Sequence, residues 1–308
     1  MRTACIETLH ELARQDRRIT LVVGDLGFGV VTKFAQELPA QYVNAGVAEQ
    51  NMTGLAVGLA LEGKIAFTYS IGTFPVMRCM EQVRNDVCYH AANVKIVTVG
   101  GGLAYGALGV SHSATEDLAV MRARPNMTVV APNDPAETRA AVRAAVATPG
   151  PFFLRLGRAG EPDIHTGPID FRLGKAIQVR DGADATLVAA AGMLGSALEA
   201  ATALDGVGVR CRVLSMHTLK PLDADALNAA ARETGGLFTL EEHSVIGGLG
   251  AAVAECLLES DVRPRRFKRL GLPDAFCSDV GDQSYLRGLL GLGVPTIVAT
   301  IKETLGAA

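Results

Sequence analysis

One carboxylate, Glu49, sits where a carboxylate is out of place. It lies in VNAGVAEQNM (43–52), just ahead of TGLAVGLALEG, a helical stretch made almost wholly of small and apolar residues. A helix that is apolar on every side belongs in an interior, and a carboxylate there needs a partner. Two readings follow: Asn44 caps the helix and Glu49 merely favours its dipole, or the acid is held inside for chemistry. His112 lies in the glycine-rich segment GGGLAYGALGVSHS (100–113), directly after the apolar run VKIVTV. Consecutive glycines open backbone geometries closed to other residues and allow close approach to a ligand. Long loops at such places commonly carry function. Asp25, in GDLGFG (24–29), falls where a strand hands over to a helix, the ligand side of a parallel sheet. Its glycine spacing reverses the dinucleotide fingerprint, and no GxxxxGK[ST] occurs in the chain. RLGR (155–158) closes an apolar run with two arginines. Arg158 suits a bidentate contact to phosphate or carboxylate as well as a solvated position. Glu241-Glu242-His243 has the residue types of a metal set but no further ligand at suitable spacing.

The elements that position these residues are legible from alternation. ITLVV (19–23), KIAFT (64–68), VKIVTV (94–99), MTVVA (127–131) and PFFLRL (151–156) are continuously apolar and β-branched, and helical patterns separate them, including one over 75–89. Such strands predict a parallel sheet covered on both faces. A Gly-, Pro- and Asp-rich stretch, 157–184, is expected to link this first domain, 1–156, to a second, 185–308. There the alternation restarts with TLVAA, VRCRVLSM, LFTLEEH and RFKRLGL. The expected class is α/β, with two three-layer domains built on parallel or mixed sheets.

Bulk properties narrow the function. With 308 residues and 49% hydrophobic content, the chain buries sizeable cores. A net charge of −3 argues against nucleic-acid or membrane-surface binding, because both call for a basic patch. No apolar run is read as reaching the roughly 18 residues of a membrane span. The N-terminal MRTACIETLHELARQDRR reads as an amphipathic helix containing acids, not as a targeting peptide. Cys5, Cys79, Cys88, Cys211, Cys256 and Cys277 form no CxxC pair, so reduced, mostly buried thiols and a cytoplasmic location are expected.

VNAGVAEQNMTGLAVGLALEGKIAF, TFPVMRCMEQVRND, GVSHSATEDLAVMRARPNMTVVAPNDPAET and TLEEHSVIGGLGAAVAE together resemble the second half of a transketolase, and the resemblance spans essentially all of the chain. It implies a pyrimidine-binding domain followed by a C-terminal domain of a thiamine diphosphate enzyme. It also implies roles: Glu49 hydrogen-bonds N1′ of the cofactor's aminopyrimidine and relays a proton, Phe74 stacks on that ring, and Asp25 lies on the cofactor side. His112 faces the substrate, and Arg2 and Arg158 hold a sugar phosphate. The chain also departs from the family at four places. Gly100 stands where transketolases usually carry a histidine, Leu108 where they carry an aspartate that reads a donor hydroxyl, and Ile71 and Met77 where further aromatics line the pyrimidine pocket. A site that bonds a hydroxyl discriminates strongly, so the loss at Leu108 implies a donor other than the ordinary pentose phosphates.

The family's diphosphate-binding domain, with GDG and a downstream Asn that hold Mg²⁺, has no counterpart here. Gly24-Asp25 and Asn51 mimic its spacing, but Leu26 breaks the triplet and Asn51 belongs to the AEQN block. The resemblance therefore implies the smaller subunit of a split transketolase, completed in an α₂β₂ assembly by a chain that binds diphosphate and Mg²⁺, acting on a sugar or sugar phosphate. Two other readings stand beside it: the beta chain of a 2-oxoacid dehydrogenase-type decarboxylase, and a non-catalytic module that stabilises a partner.

Overall fold

β-Branched side chains crowd a helix and suit a pleated surface, and the apolar runs fold accordingly. In this computed structural model, which describes residues 1–306, the first six strands are β1 (Ile19–Val23), β2 (Tyr42–Asn44), β3 (Ile65–Ile71), β4 (Val94–Val99), β5 (Thr128–Val130) and β6 (Phe152–Arg155). The second six are β7 (Ile177–Arg180), β8 (Ala185–Ala189), β9 (Cys211–Ser215), β10 (Thr218–Lys220), β11 (Leu237–Ser244) and β12 (Phe267–Leu272). One seven-stranded sheet runs β10-β5-β6-β4-β3-β1-β2, and one five-stranded sheet runs β12-β11-β8-β9-β7. Every pairing is parallel except those of β10 with β5 and β7 with β9. Parallel strands buried on both faces read as unbroken apolar runs. β1 and β4 are buried at every residue.

Side chains alternate across the first sheet and feed two separate cores. Val22, Ala66, Val94 and Ile96 pack on one face, while Leu21, Val23, Phe67, Tyr69 and Val97 pack on the other. Each such buried Val, Leu or Phe contributes about 1.5–3 kcal/mol relative to leaving it exposed. A third core fills the second sheet around Leu187, Phe238 and Leu240.

The structure departs from the sequence expectations in several places. Part of the supposed linker, Ile177–Arg180, is β7 and pairs with β9, so that stretch ends as an edge strand. β10 leaves the second region and pairs antiparallel with β5 at the edge of the first sheet. The helix Glu49–Leu61 is not buried all round: Met52, Thr53, Ala56 and Val57 face the core, while Gln50, Asn51, Gly54, Leu55, Gly58 and Leu61 are exposed. Its small residues are interchangeable between inside and outside, so composition alone gave no face.

Gln283–Leu305 is apolar and long enough to be compared with a membrane span, contrary to the sequence expectation. It comprises two helices, Gln283–Leu289 and Val294–Leu305, and Leu286, Ile297 and Ile301 pack into the core of the second sheet.

Candidate active site

Glu49 opens the helix Glu49–Leu61 and is 1% exposed. Asn44 does not cap that helix. It ends β2, where its amide donates to Asp25 Oδ1 at 2.8 Å and its side-chain oxygen accepts from the Gly46 amide at 2.9 Å. The Glu49 carboxylate instead lies over the ends of β1 and β3. Ser70, on β3, donates its hydroxyl to Oε1 at 3.3 Å. Gly24, just past β1, lines the same spot: a Cβ there would stand 3.5 Å from Ser70 Oγ and 3.6 Å from Glu49 Cγ.

The partner that satisfies the buried acid is Arg78, whose Nη1 donates to Glu49 Oε2 at 2.5 Å. Its guanidinium also lies 4.8 Å from the centre of the Phe74 ring, a cation–π contact. Sequence reasoning passed over Arg78. The signal was its position four residues after Phe74, which puts both on one side of a helical turn. Here that turn is widened: Phe74–Arg78 and Val83–Cys88 are π-type segments, a distortion frequent at functional sites.

The loop 100–113 closes over this place. Gly72 passes so near it that an added Cβ would meet the Ala114 Cβ at 2.6 Å, and Thr73 Oγ1 donates to the Ser111 carbonyl at 2.8 Å. The imidazole of His112 packs edge-on against Phe74, centroids 5.3 Å apart, with Nδ1 2.9 Å from Ser111 Oγ. The three glycines ahead of it serve the chain's own side chains. Cβ atoms at Gly100, Gly101 and Gly102 would fall 2.0 Å from the Tyr105 ring, 2.7 Å from Arg155 Nε and 2.3 Å from Glu242 Oε1.

Behind the loop, Arg155 and Asp117 form a buried ion pair at 2.8 Å. Arg155 also donates to the carbonyls of Ala114 and Glu242, joining the two sheets. Glu242 in turn accepts from the Leu103 amide at 2.6 Å, from Gln283 and from Arg287. Glu241 accepts from the amides of Leu249 and Gly250 at 2.6 and 2.7 Å; burial pushes its carboxyl up to about 7 against those bonds. His243 Nε2 accepts from the Ala119 amide at 3.3 Å. The Glu241-Glu242-His243 run is thus occupied in holding the fold.

The structure brings Glu49, Phe74 and His112 together, with Arg158 further along, its guanidinium 5.7 Å from the Tyr105 ring. Asp25 stands apart, exposed beside Asn44 at positive φ (55°). Ile71 and Met77 pack in the cores on opposite faces of the first sheet rather than around one ring. Leu108 is 57% exposed. Arg2 starts the first helix, and its Nε is buried without a partner among the described residues.

A buried carboxylate and an aromatic face, with a histidine above them, match what an aminopyrimidine requires. A diphosphate with Mg²⁺ finds no matching set among the described residues. The one compact group with metal-ligand types, Asp134, Glu137 and His165, has its oxygens engaged: Asp134 by the amides of Glu137, Ile164 and His165, and Glu137 by the Asn133 amide, Ser215 and His165.

These features define a two-part α/β chain with a buried carboxylate, an aromatic ring and a histidine gathered at one end of its first sheet. Residues 1–160 match the transketolase pyrimidine-binding domain and residues 174–297 the transketolase C-terminal domain. The chain belongs to the transketolase family. It is 45% identical over 275 residues to a subunit of the apulose-4-phosphate transketolase of Phocaeicola vulgatus, covering 89% of this chain and 87% of that one. It is 40% identical over 304 residues to the 6-deoxy-6-sulfo-D-fructose transketolase subunit SqwH of Clostridium sp. (strain MSTE9), covering 98% and 94%. A solved split-gene transketolase, described as an inactive β4 tetramer, superposes with a TM-score of 0.89 at 40% identity, covering 99% of this chain and 97% of that one.

Proposed function

We propose that this chain is the smaller subunit of a two-chain, thiamine diphosphate-dependent transketolase that moves a two-carbon ketol unit from a ketose to an aldehyde. The observation that carries the proposal is the buried Glu49 carboxylate beside Phe74 and His112, in a chain that aligns nearly end to end with separately encoded transketolase subunits. A partner subunit supplies the diphosphate and Mg²⁺ cradle, and an α₂β₂ assembly completes the site. Exposed apolar side chains flanking the block that carries Glu49 support a partner: Phe28 in the loop after β1 is 83% exposed and Val47, two residues before Glu49, is 74% exposed.

When bound, thiamine diphosphate supplies the ring that carries the two-carbon unit as a stabilised carbanion. This chain's residues do the positioning. Glu49, once parted from Arg78, would hold the aminopyrimidine by a hydrogen bond, a charge-assisted contact of the stronger kind. Phe74 gives that ring its stacking face. His112, held by Ser111 and Phe74, offers a ring nitrogen to the donor's oxygen, and Arg158 and Arg2 take the far end of the sugar. Asp25 sits on the cofactor side of the sheet end.

Glu49→Gln in the two-chain complex tests this reading. Loss of the relay is expected to lower turnover about 10²- to 10⁴-fold, with the assembly intact by sedimentation. Turnover close to the parent's would overturn it.

A further inference from the structure

We propose that Tyr105 is a positioning residue that reads the far end of the donor, a ketose ending in an oxyanion such as a phosphate or sulfonate; this rests on the transketolase reading above. The ring of Tyr105 lies directly on Gly100. A Cβ at Gly100 would fall 2.0 Å from Tyr105 Cδ2 and 2.2 Å from Cε2, and Gly100 has φ +79°, where a side chain is strained in any case. Tyr105 therefore fills the volume beside Gly100, the position at which the transketolase resemblance expects a histidine. The substitution is paired: the glycine clears the space, and a residue five positions on supplies the polar aromatic group.

The placement gives that group a task. Tyr105 stands between the two ends of the site. Its ring centroid is 6.4 Å from that of His112, which itself packs on Phe74 at 5.3 Å. On the other side, the Arg158 guanidinium lies 5.7 Å from the Tyr105 ring. Phe74, His112, Tyr105 and Arg158 thus follow one another from the pyrimidine face outward. No hydrogen bond engages the Tyr105 hydroxyl among the described residues, and the residue is only half-buried, so its O–H is free to donate.

A phenol with a guanidinium over its ring is a donor set for an oxyanion: one neutral O–H and one planar cation, here exposed and free of any ion pair among the described residues. It carries less positive charge than an arginine paired with a protonated imidazole. Relatives of this chain bear the names of sugars with either kind of terminal oxyanion, apulose-4-phosphate and 6-deoxy-6-sulfo-D-fructose. Tyr105 and Arg158 recognise what those ends share.

Tyr105→Phe removes only the hydroxyl and keeps the ring over Gly100. Calorimetry on the two-chain complex with glucitol 6-phosphate, which has no carbonyl and cannot turn over, reads the oxyanion contact alone, and plain glucitol serves as the uncharged control. The variant is expected to bind the phosphate ester about tenfold more weakly, in line with one lost hydrogen bond to a charged group, and glucitol as the parent does. With a phosphate-ended ketose, KM is expected to rise by a similar factor with kcat nearly unchanged. Equal affinity of both proteins for glucitol 6-phosphate, or no binding by the parent, would overturn the assignment. Turnover of ketose donors by the parent is scored separately and reports on the transketolase reading, so the two fail independently.

Discussion

Arg78 answers the question that Glu49 raises. A carboxylate sealed from water needs a counter-charge or a strong donor, and in this chain a half-exposed arginine provides it while lying on the ring of Phe74. Arg78 thereby engages the two groups an aminopyrimidine would use, so cofactor entry and the ion pair are alternatives. Arg78→Met is expected to destabilise the chain on its own by about 1–3 kcal/mol, the cost of an unpaired buried acceptor, read as a lower denaturation midpoint. Glu49→Gln with Arg78→Met should cost clearly less than the two single changes together, because the residues share one interaction. Strict additivity would mean that the contact contributes nothing. Glu49, Phe74 and His112 were legible in the sequence because their types recur in recognisable blocks. Arg78 and Tyr105 were not. Their importance comes from what their side chains lie against, Glu49 and Gly100: the four-residue spacing of Arg78 from Phe74 points only to that ring, and no spacing rule reports a partner about thirty residues away or a ring folded back on a glycine.

At the scale of elements, the long apolar strands could be read directly, and β1 and β4 fall on the expected residues. β7 and β10 escaped because each is an edge strand of three or four residues whose partner lies elsewhere in the chain. Periodicity needs more length than that to show. The glycine run at 100–102 was read as allowing close approach to a ligand, whereas what approaches is protein: Tyr105, Arg155 and Glu242. The loop that carries His112 is therefore anchored from behind by the buried Arg155–Asp117 pair. Removing one member of such a pair leaves an uncompensated charge, so Asp117→Ala is expected to cost about 3–5 kcal/mol of stability. Chemical denaturation of the parent and variant checks this. A loss below about 1 kcal/mol would show that water or other groups compensate Arg155.

Across the whole molecule, a polar cluster ties the two sheets. Glu137, in the first turn of the helix Pro135–Ala147 that follows β5, accepts from His165 in the connecting stretch at 2.9 Å and from Ser215 on β9. Its bond to Glu137 raises the His165 pKa, burial opposing it. Burial pushes Glu137 up, yet the bonds from His165 and Ser215, the Asn133 amide and the nearby His217 outweigh it and hold the carboxyl below its usual range. Burial pushes the His217 imidazole itself down. A base raised in the fold stabilises fully below its unfolded value, about 6.5 for histidine, and the contribution fades as pH rises through the raised value. For Glu137 the sign is opposite: its contribution is present above the ordinary glutamate value and fades only as pH falls through the lowered one. The stability difference between parent and His165→Gln is therefore expected to be largest, about 1.5–3 kcal/mol, below the ordinary histidine value and to shrink as pH rises through the raised one. A difference independent of pH would assign His165 a packing role only.

The proposed activity depends on this chain holding the pyrimidine half of a cofactor site and lacking the diphosphate half. Calorimetry with thiamine diphosphate and Mg²⁺ tests that division most directly, on this chain alone and after mixing with a candidate partner chain that carries a diphosphate-binding domain. Binding is expected in the mixture and none measurable by the isolated chain, since most of the cofactor's charge would lack its counterpart. Tight, Mg²⁺-dependent binding by the isolated chain would contradict it.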